Sequence, residues 1–244
     1  MHRAYAKQIP LDTDVIVIHD TQEIHHLKDV LRLKKGSRLC VFNGQGQEAE
    51  GEILSITKDR VEIARLSFRQ TDVGEGRPRI ILACAVPKHT KFEWIIEKAV
   101  ELGVDEVVPL KTARTEFHVT RDRAMRKNER YHTVAVNAAK QSKRLTVPVI
   151  HPFTEFSQAL GLVNSETCAL IPCLLGDRTG LARAVAQGSA QRIIVFIGPE
   201  GDFTPEEVSA AIQAGAVAVS LGETVLKVET AALSVLAFLT FLKK

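Results

Sequence analysis

The feature that most constrains this fold is a regular alternation of apolar strands and amphipathic helices that begins near residue 79. An apolar segment at 79–86 precedes residues 91–102, in which apolar side chains recur at helical spacing. The same alternation continues along the chain. It predicts strands at 105–110, 147–150, 167–175, 192–197 and 216–221, and helices at 121–141 and 229–242. This alternation is typical of an α/β unit with a mostly parallel sheet.

The chain before this alternation has a different, mainly β pattern. A strand at 15–18 precedes a predicted helix at 21–33, whose Ile24, Leu27, Val30 and Leu31 share one face. Three further strands, at 38–42, 48–56 and 60–68, are separated by turns and predict a β-meander suited to a small barrel. Because residues 70–78 are rich in Gly, Pro and charge, we predict two domains, 1–72 and 73–244.

Composition narrows the class of protein without identifying it. With 45% hydrophobic and 25% charged residues the chain is expected to fold, and a net charge of only +3 does not by itself indicate a nucleic-acid binder. The first ten residues lack the apolar core of a signal peptide, and the longest apolar stretch, 231–242, is too short for a bilayer, which predicts a cytoplasmic protein. The four cysteines form no CxxC pair, so we expect reduced thiols and no metal site.

Two segments near the C-terminus place glycine-containing loops after predicted strands. Gly198-Pro199-Glu200-Gly201 follows the strand at 192–197, and beyond it Thr204-Pro205-Glu206-Glu207 has the pattern of a helix capping box. Residues 221–231 contain a second loop and the start of a helix. In open parallel sheets, ligands bind at the carboxyl edge of the strands, where both loops are expected. Each segment also has a simpler interpretation, since 198–201 suits a tight turn and Glu229 suits the first turn of a helix.

Considered together, the two segments resemble those of the RsmE-type uridine methyltransferases of the SPOUT superfamily. Residues 197–201 are similar to that family's I-G-P-E-G loop, and residues 221–231 are similar to its L-G-x-x-[IV]-L-[RK]-x-E-T-A segment. The resemblance extends to 91–109, to 138–148 and, in the first domain, to 26–36, and therefore covers most of the chain.

The resemblance implies a fold and an activity. The expected fold is a SPOUT-type parallel sheet with a C-terminal trefoil knot, preceded by a small PUA-like β-barrel. The expected activity is S-adenosylmethionine-dependent methylation of N3 of a uridine in 16S ribosomal RNA, with the small ribosomal subunit as partner. A homodimer is also implied. From its composition alone, the apolar last helix suits either core packing or a dimer interface.

The resemblance also assigns candidate site residues. We expect the cofactor to be bound by residues of three segments: Leu175, Gly176, Ile197, Gly198, Pro199, Glu200, Gly201, Leu221, Gly222, Val225, Leu226 and Thr230. Arg144 is the candidate for binding the anionic base or its phosphate, with Lys227 second and Glu229 as a proton acceptor or orienting group. Candidate RNA contacts are five cations that could equally be solvated surface charges: Arg3, Arg32, Arg38, Lys140 and Lys143.

Four positions depart from the family pattern. The family usually has Glu, Gly, Arg and Thr where this chain has Lys140, Lys143, Lys227 and Val228. Lysine lacks the planar fork of arginine, so recognition at position 227 is expected to be looser. The departures keep open a second hypothesis, a weakly active or inactive RNA-binding assembly factor. A nucleotide-binding α/β enzyme of another kind is disfavoured because no Walker or dinucleotide-type glycine loop is present.

Overall fold

The computed structural model describes residues 1–72, 76–87, 91–115, 120–174, 176–186 and 190–242. The chain forms two compact units. One comprises Met1–Glu75 and Ala139–Val147, and the other comprises Gly76–Ala138 and Pro148–Lys244. The first unit therefore includes a short segment, Ala139–Val147, that is distant in sequence from the rest of that unit.

The first unit contains one five-stranded sheet. Its strands are β1 (His2–Tyr5), β2 (Val15–Ile18), β3 (Arg38–Phe42), β4 (Gln47–Ile56) and β5 (Val61–Gln70). They lie in the order β1-β3-β4-β5-β2, and the antiparallel pairs β3–β4 and β4–β5 confirm the predicted meander. Strand β1 was not predicted, since its four residues pair in parallel with a strand more than thirty positions away and carry no local pattern.

The predicted helix at 21–33 is shorter and less regular than its pattern indicated. Helix α1 (Thr21–His25) passes into one π-helical turn, His26–Val30, in which the Leu31 N–H donates to the His26 carbonyl. This wider turn rotates Val30 away from the core, leaving it 58% exposed, while Ile24 and Leu27 remain buried. The prediction that Val30 belongs to the core face was therefore wrong.

Residues 139–147 are attached to the β3–β4 turn by backbone hydrogen bonds. The Gly46 N–H donates to the Leu145 carbonyl at 3.1 Å, and the Val147 N–H donates to the Gly44 carbonyl at 3.0 Å. Gly44 has a φ of +73°, and a Cβ added there would lie 2.9 Å from Cγ2 of Val147. Glycine is therefore required at 44 both for backbone conformation and for the close approach of Val147.

The second unit is built on a parallel sheet. Its strands are β6 (Arg79–Ala85), β7 (Glu106–Lys111), β8 (Val149–Ile150), β9 (Thr154–Glu155), β10 (Thr167–Pro172), β11 (Thr179–Gly180), β12 (Arg192–Ile197) and β13 (Val217–Ser220). The main path is β11-β13-β10-β12-β6-β7-β8, with β9 paired to β7, and every pair is parallel. The predicted mostly parallel α/β sheet is confirmed.

Helices connect these strands. They are α2 (Lys91–Glu101), α3 (Arg121–Gln141), α4 (Phe156–Ala159), α5 (Leu181–Ala186), α6 (Pro205–Gln213) and α7 (Val228–Phe241). A 3-10 turn, Leu160–Leu162, follows α4. Helix α7 buries five apolar residues, including Val235 and Leu239, and contacts α2. Just after the end of α2, the Leu102 carbonyl accepts a hydrogen bond from the Thr240 hydroxyl at 2.5 Å. Core packing therefore accounts for much of the apolar surface of α7.

We predict that Gly44→Ala will destabilise the first unit more than Gly36→Ala. Both glycines have positive φ, but a Cβ at Gly36 meets nothing within 4 Å. Backbone strain alone should lower the free energy of unfolding of the Gly36 variant by about 1 kcal/mol. The Gly44 variant should lose about 2 to 3 kcal/mol, because Val147 must also move. Urea denaturation of both variants measures the difference, and equal losses would contradict the close approach of Val147.

Candidate functional site

A cavity lies at the carboxyl edge of the parallel sheet, where β10, β12 and β13 end. Because β10 pairs with both β12 and β13, the three loops that follow these strands are neighbours. The space between its walls measures about 610 Å³, part of which is open solvent. Its lining is mainly apolar, with a few charged groups: Pro172, Cys173, Leu174, Arg178, Ile197, Gly198, Pro199, Glu200, Asp202, Val219, Leu221, Gly222, Thr224, Val225, Leu226, Val228 and Ala231.

The two glycine loops that the sequence singled out therefore border the same cavity. Eight of the predicted cofactor-binding residues line it: Ile197, Gly198, Pro199, Glu200, Leu221, Gly222, Val225 and Leu226. Gly176, Gly201 and Thr230 stand on the same three segments but are not among its lining residues in the described part of the chain. Leu175 lies outside the described residues.

Sequence reasoning missed most of the loop after β10. Cys173, Leu174 and Arg178 line the cavity together with Pro172 at the end of the strand. The Arg178 guanidinium donates to the Cys173 carbonyl at 3.2 Å, which closes this loop on itself. The apolar run predicted a strand over 167–175, whereas β10 ends at Pro172. Nothing local showed that this strand lies between β12 and β13.

Gly198 packs closely against other residues of the loop after β12. A Cβ at this position would lie 3.1 Å from the Phe203 backbone nitrogen, 3.1 Å from its Cδ2 and 3.3 Å from Oδ1 of Asp202. The space that a side chain would need is already filled by the loop itself. A glycine here allows a close backbone approach without displacing Phe203.

Asp202 fastens the loop after β12 to the loop after β10. Its carboxylate accepts the Phe203 N–H at 2.8 Å through Oδ1 and the Leu174 N–H at 2.9 Å through Oδ2. Its φ of +60° is one that aspartate tolerates better than most residues. Both loops are therefore held in one arrangement before any ligand enters.

The loop after β7 braces the other side of the loop after β12. The Ala113 N–H donates to Glu207 Oε1 at 2.8 Å, and the Arg114 guanidinium donates to the Gly201 carbonyl. Glu207 also accepts the Thr204 N–H while the Thr204 hydroxyl accepts the Glu207 N–H, which confirms the predicted capping box of α6. One glutamate thus serves both as helix cap and as a link between loops.

Lys227 and Glu229 flank the start of α7, on either side of the cavity-lining Val228. Lys227 is the N-cap residue and is exposed, and Glu229 accepts a hydrogen bond from Lys91 Nζ at 3.3 Å. Burial raises the pKa of the Glu229 carboxyl, but its own backbone N–H and Lys91 outweigh burial, so the pKa lies below its usual range. Glu229 is accordingly a carboxylate at neutral pH and a weak base.

Arg144 and Lys143 lie at the end of α3 within the first unit. Lys143 has a φ of +58°, and the Arg144 N–H donates to the Ala139 carbonyl at 3.0 Å, which terminates the helix. Position 143 thus has a left-handed conformation, which glycine adopts more readily than lysine. The Arg144 side chain donates to the Thr146 hydroxyl at 3.0 Å.

The remaining candidate RNA contacts differ in their surroundings. Arg32 and Arg38 are exposed, and Arg38 lies 4.0 Å from Glu52. Arg3 is only 8% exposed, pairs with Glu48 at 3.0 Å and stacks on the ring of Phe42. Lys140 forms an ion pair with Glu23. The two exposed arginines are thus more accessible to a phosphate than Arg3 and Lys140.

The four cysteines carry free thiols. Burial raises the pKa of Cys40 to about 12 and also raises the pKa of Cys84, so both stay protonated at neutral pH. Within the described ranges, no group of three or more potential metal-ligating side chains occurs. In the same part of the chain, no helix has the length and apolar character required to cross a bilayer.

Comparison with protein families gives two matches along the chain. A family model described as an RNA methyltransferase domain matches residues 75–240, and one described as an RNA methyltransferase PUA domain matches residues 20–64. The chain belongs to this RNA methyltransferase family. The matches cover both the loops that line the cavity and the strands β3 and β4 of the first unit.

Individual members of the family are similar over nearly the whole chain. The ribosomal RNA small subunit methyltransferase E of Mycobacterium tuberculosis is 30% identical over 93% of this chain and 87% of its own length. The protein of the same name from Bacillus subtilis is 29% identical over 90% of this chain and 88% of its own length. The crystal structure of the Neisseria gonorrhoeae enzyme bound to S-adenosyl methionine superimposes with a TM-score of 0.87 and 27% identity, covering 99% and 98% of the two chains.

We predict that Asp202→Asn will loosen the cavity of this family member. The amide can still accept one N–H and tolerate the positive φ, but its NH₂ group would oppose the second N–H donor. The free energy of unfolding should fall by about 1 to 2 kcal/mol. Asp177→Asn, at an exposed position of the loop after β10, should change it by less than about 0.5 kcal/mol. Equal stabilities of the two variants in urea denaturation would argue against the link between the loops.

Proposed function

We propose that this protein transfers a methyl group from S-adenosylmethionine to N3 of a uridine in the 16S ribosomal RNA of the small ribosomal subunit. The observation that carries the proposal is the single cavity bordered by the loops after β12 and β13. These are the loops on which the resemblance to uridine methyltransferases rests. Two similar structures, from Neisseria gonorrhoeae and Legionella pneumophila, contain S-adenosylmethionine.

The residues of the cavity suit this cofactor. Ile197, Leu221 and Leu226 offer apolar surface for a flat adenine, and the close-packed Gly198 leaves backbone groups accessible. Glu200 and Asp202 add negative charge to the lining, and Arg178 adds a positive charge. A ligand with a sulfonium, an amino and a carboxylate group is complementary to such a lining. When bound, the cofactor supplies a methyl group that its sulfonium charge has already activated.

The methyl acceptor, N3 of uridine, must be activated by the protein. N3 of uridine is a poor nucleophile until its proton leaves and negative charge spreads to the flanking carbonyls. We assign the stabilisation of that charge to Arg144, with Lys227 as a second cation. The lowered pKa of Glu229 makes it a better orienting group for Lys91 and Lys227 than a proton acceptor. Proton release to solvent is compatible with this arrangement.

We also infer a PUA-like barrel at 1–72, a SPOUT domain at 73–244 with a C-terminal trefoil knot, a homodimer and a cytoplasmic location. The family matches support a PUA-like domain and a methyltransferase domain, and the resemblance implies the knot, the dimer and the location. RNA binding is assigned first to Arg32, Arg38 and Lys143, which are exposed cations of the first unit.

We predict that Gly198→Ala will weaken S-adenosylmethionine binding. The added methyl group must displace Phe203 or the backbone toward the cavity, so the dissociation constant should rise about tenfold, or about 1.4 kcal/mol. Gly161→Ala is a matched control, since a Cβ at Gly161 meets nothing within 4 Å and its φ is ordinary. Isothermal titration calorimetry distinguishes the two. Unchanged affinity in the Gly198 variant would place the cofactor elsewhere.

We predict that Arg144→Ala will lose methyl transfer while retaining cofactor binding. Loss of the cation facing a developing anion should reduce turnover about 100-fold. Arg183→Ala, at an exposed position of α5, should keep turnover within about twofold. The assay incubates each variant with labelled S-adenosylmethionine and small ribosomal subunits that lack the modification.

Mass spectrometry of the nucleosides then identifies the methylated base. Label on N3 of one uridine is the expected result, and label on another base would refute the assignment of the target. A protein that binds RNA, transfers no label and is not stabilised thermally by S-adenosylmethionine would instead be a non-enzymatic assembly factor.

A further inference from the structure

A buried ion pair connects two distant segments of the first unit. Lys140, in the last turn of α3, lies 3.2 Å from Oε2 of Glu23 and also contacts its Oε1. The side chain of Glu23 is 6% exposed and that of Lys140 is 14% exposed. Because an isolated charge is costly at such a depth, removal of either residue would leave the other charge buried without a counter-charge.

Glu23 is held in place by groups other than Lys140. Its backbone N–H donates to Oδ1 of Asp20 at 2.9 Å, which caps α1, and its Oε2 accepts the Tyr5 N–H at 3.2 Å. The carboxylate is therefore attached to the end of β1 as well as to α1. It provides a fixed acceptor toward which the ammonium group of Lys140 is drawn.

The segment that follows Lys140 is fixed at its other end by the β3–β4 turn. Residues 145 and 147 hydrogen-bond to Gly46 and Gly44, respectively. Arg144 stands between these two attachments, and its side chain contacts Thr146. A chain held on both sides leaves the backbone of Arg144 little freedom, so loss of either attachment would change where its guanidinium points.

We propose that Lys140 is a positioning residue that holds Arg144 in its active orientation through Glu23, and that it does not bind an RNA phosphate. The inference rests on the proposed function, since it concerns the orientation of a group that acts on uridine. The charge of Lys140 is already neutralised by Glu23, so RNA binding at Lys140 would release few counterions. The inference also accounts for the lysine at a position where the family usually has glutamate, because Glu23 supplies the opposite charge.

The test compares Lys140→Met, Lys140→Arg and Glu23→Gln with the unaltered chain. Each full-length protein is assayed for methyl transfer to small subunits and for RNA affinity over a range of salt concentrations. Lys140→Met and Glu23→Gln should each lower kcat about tenfold with a smaller change in KM. Lys140→Arg should restore kcat to within about threefold. The double variant Lys140→Met/Glu23→Gln should be no slower than the slower single variant, since each substitution removes the same ion pair.

The salt dependence separates positioning from phosphate binding. A positioning role predicts an unchanged slope of log affinity against log salt in Lys140→Met, whereas loss of a phosphate contact reduces the slope by about one. A reduced slope with normal kcat, or multiplicative effects of the two single substitutions, would overturn the proposal. Amide hydrogen exchange provides a readout besides activity, and faster exchange at Arg144 and Val147 is expected in Lys140→Met but not in Lys140→Arg.

Failure of the proposed function and failure of the positioning role are distinguishable. If the unaltered chain transfers no methyl group, the proposed function is refuted. If the unaltered chain is active and a folded Lys140→Met variant, verified by circular dichroism and cofactor binding, is equally active, only the positioning role is refuted.

Discussion

The candidate site depends on the parallel hydrogen bonding of β10 between β12 and β13. Leu170 aligns with Val195 of one neighbour and with Val217 of the other, so the three strands run together and end at the same edge. Parallel strands place every following loop on one side of the sheet. Segments that are distant from one another in the chain thereby become the walls of one cavity. A different strand order would separate the same loops and remove the cavity without altering any local sequence.

Once the strands bring the loops together, side chains determine their shape. Asp202 joins the loop after β12 to the loop after β10, and Glu207 joins the start of α6 to the loop after β7. Each of these carboxylates accepts two backbone N–H groups, which satisfies donors that irregular loops would otherwise leave unpaired. The cavity is therefore largely formed in advance, which reduces the entropy lost when a ligand binds.

The first unit shows that a positive charge near the predicted RNA-binding surface need not contact RNA. Lys140 and Arg3 are both neutralised by glutamates and are largely buried, whereas Arg32, Arg38 and Lys143 are exposed. Because Lys140 and Arg3 are buried against glutamates, removing one partner of either pair would destabilise the unit. Exposed cations keep their counterions until a polyanion displaces them, which is why we propose RNA contacts first at the three exposed residues.

The sequence by itself determined the elements whose signals are local. The bounds of β2, β3, α3 and β12, the meander, the α6 capping box and the two glycine loops follow from side-chain periodicity, turn residues and helix caps, which act within a few residues. Only the tertiary structure decided that β1 pairs with β3, that one π-helical turn exposes Val30, that Leu174 and Arg178 face the cavity, and that Lys140 meets Glu23. These outcomes depend on which distant segments become neighbours, because a charge or a short apolar run has many possible partners and the packing of the whole chain selects one.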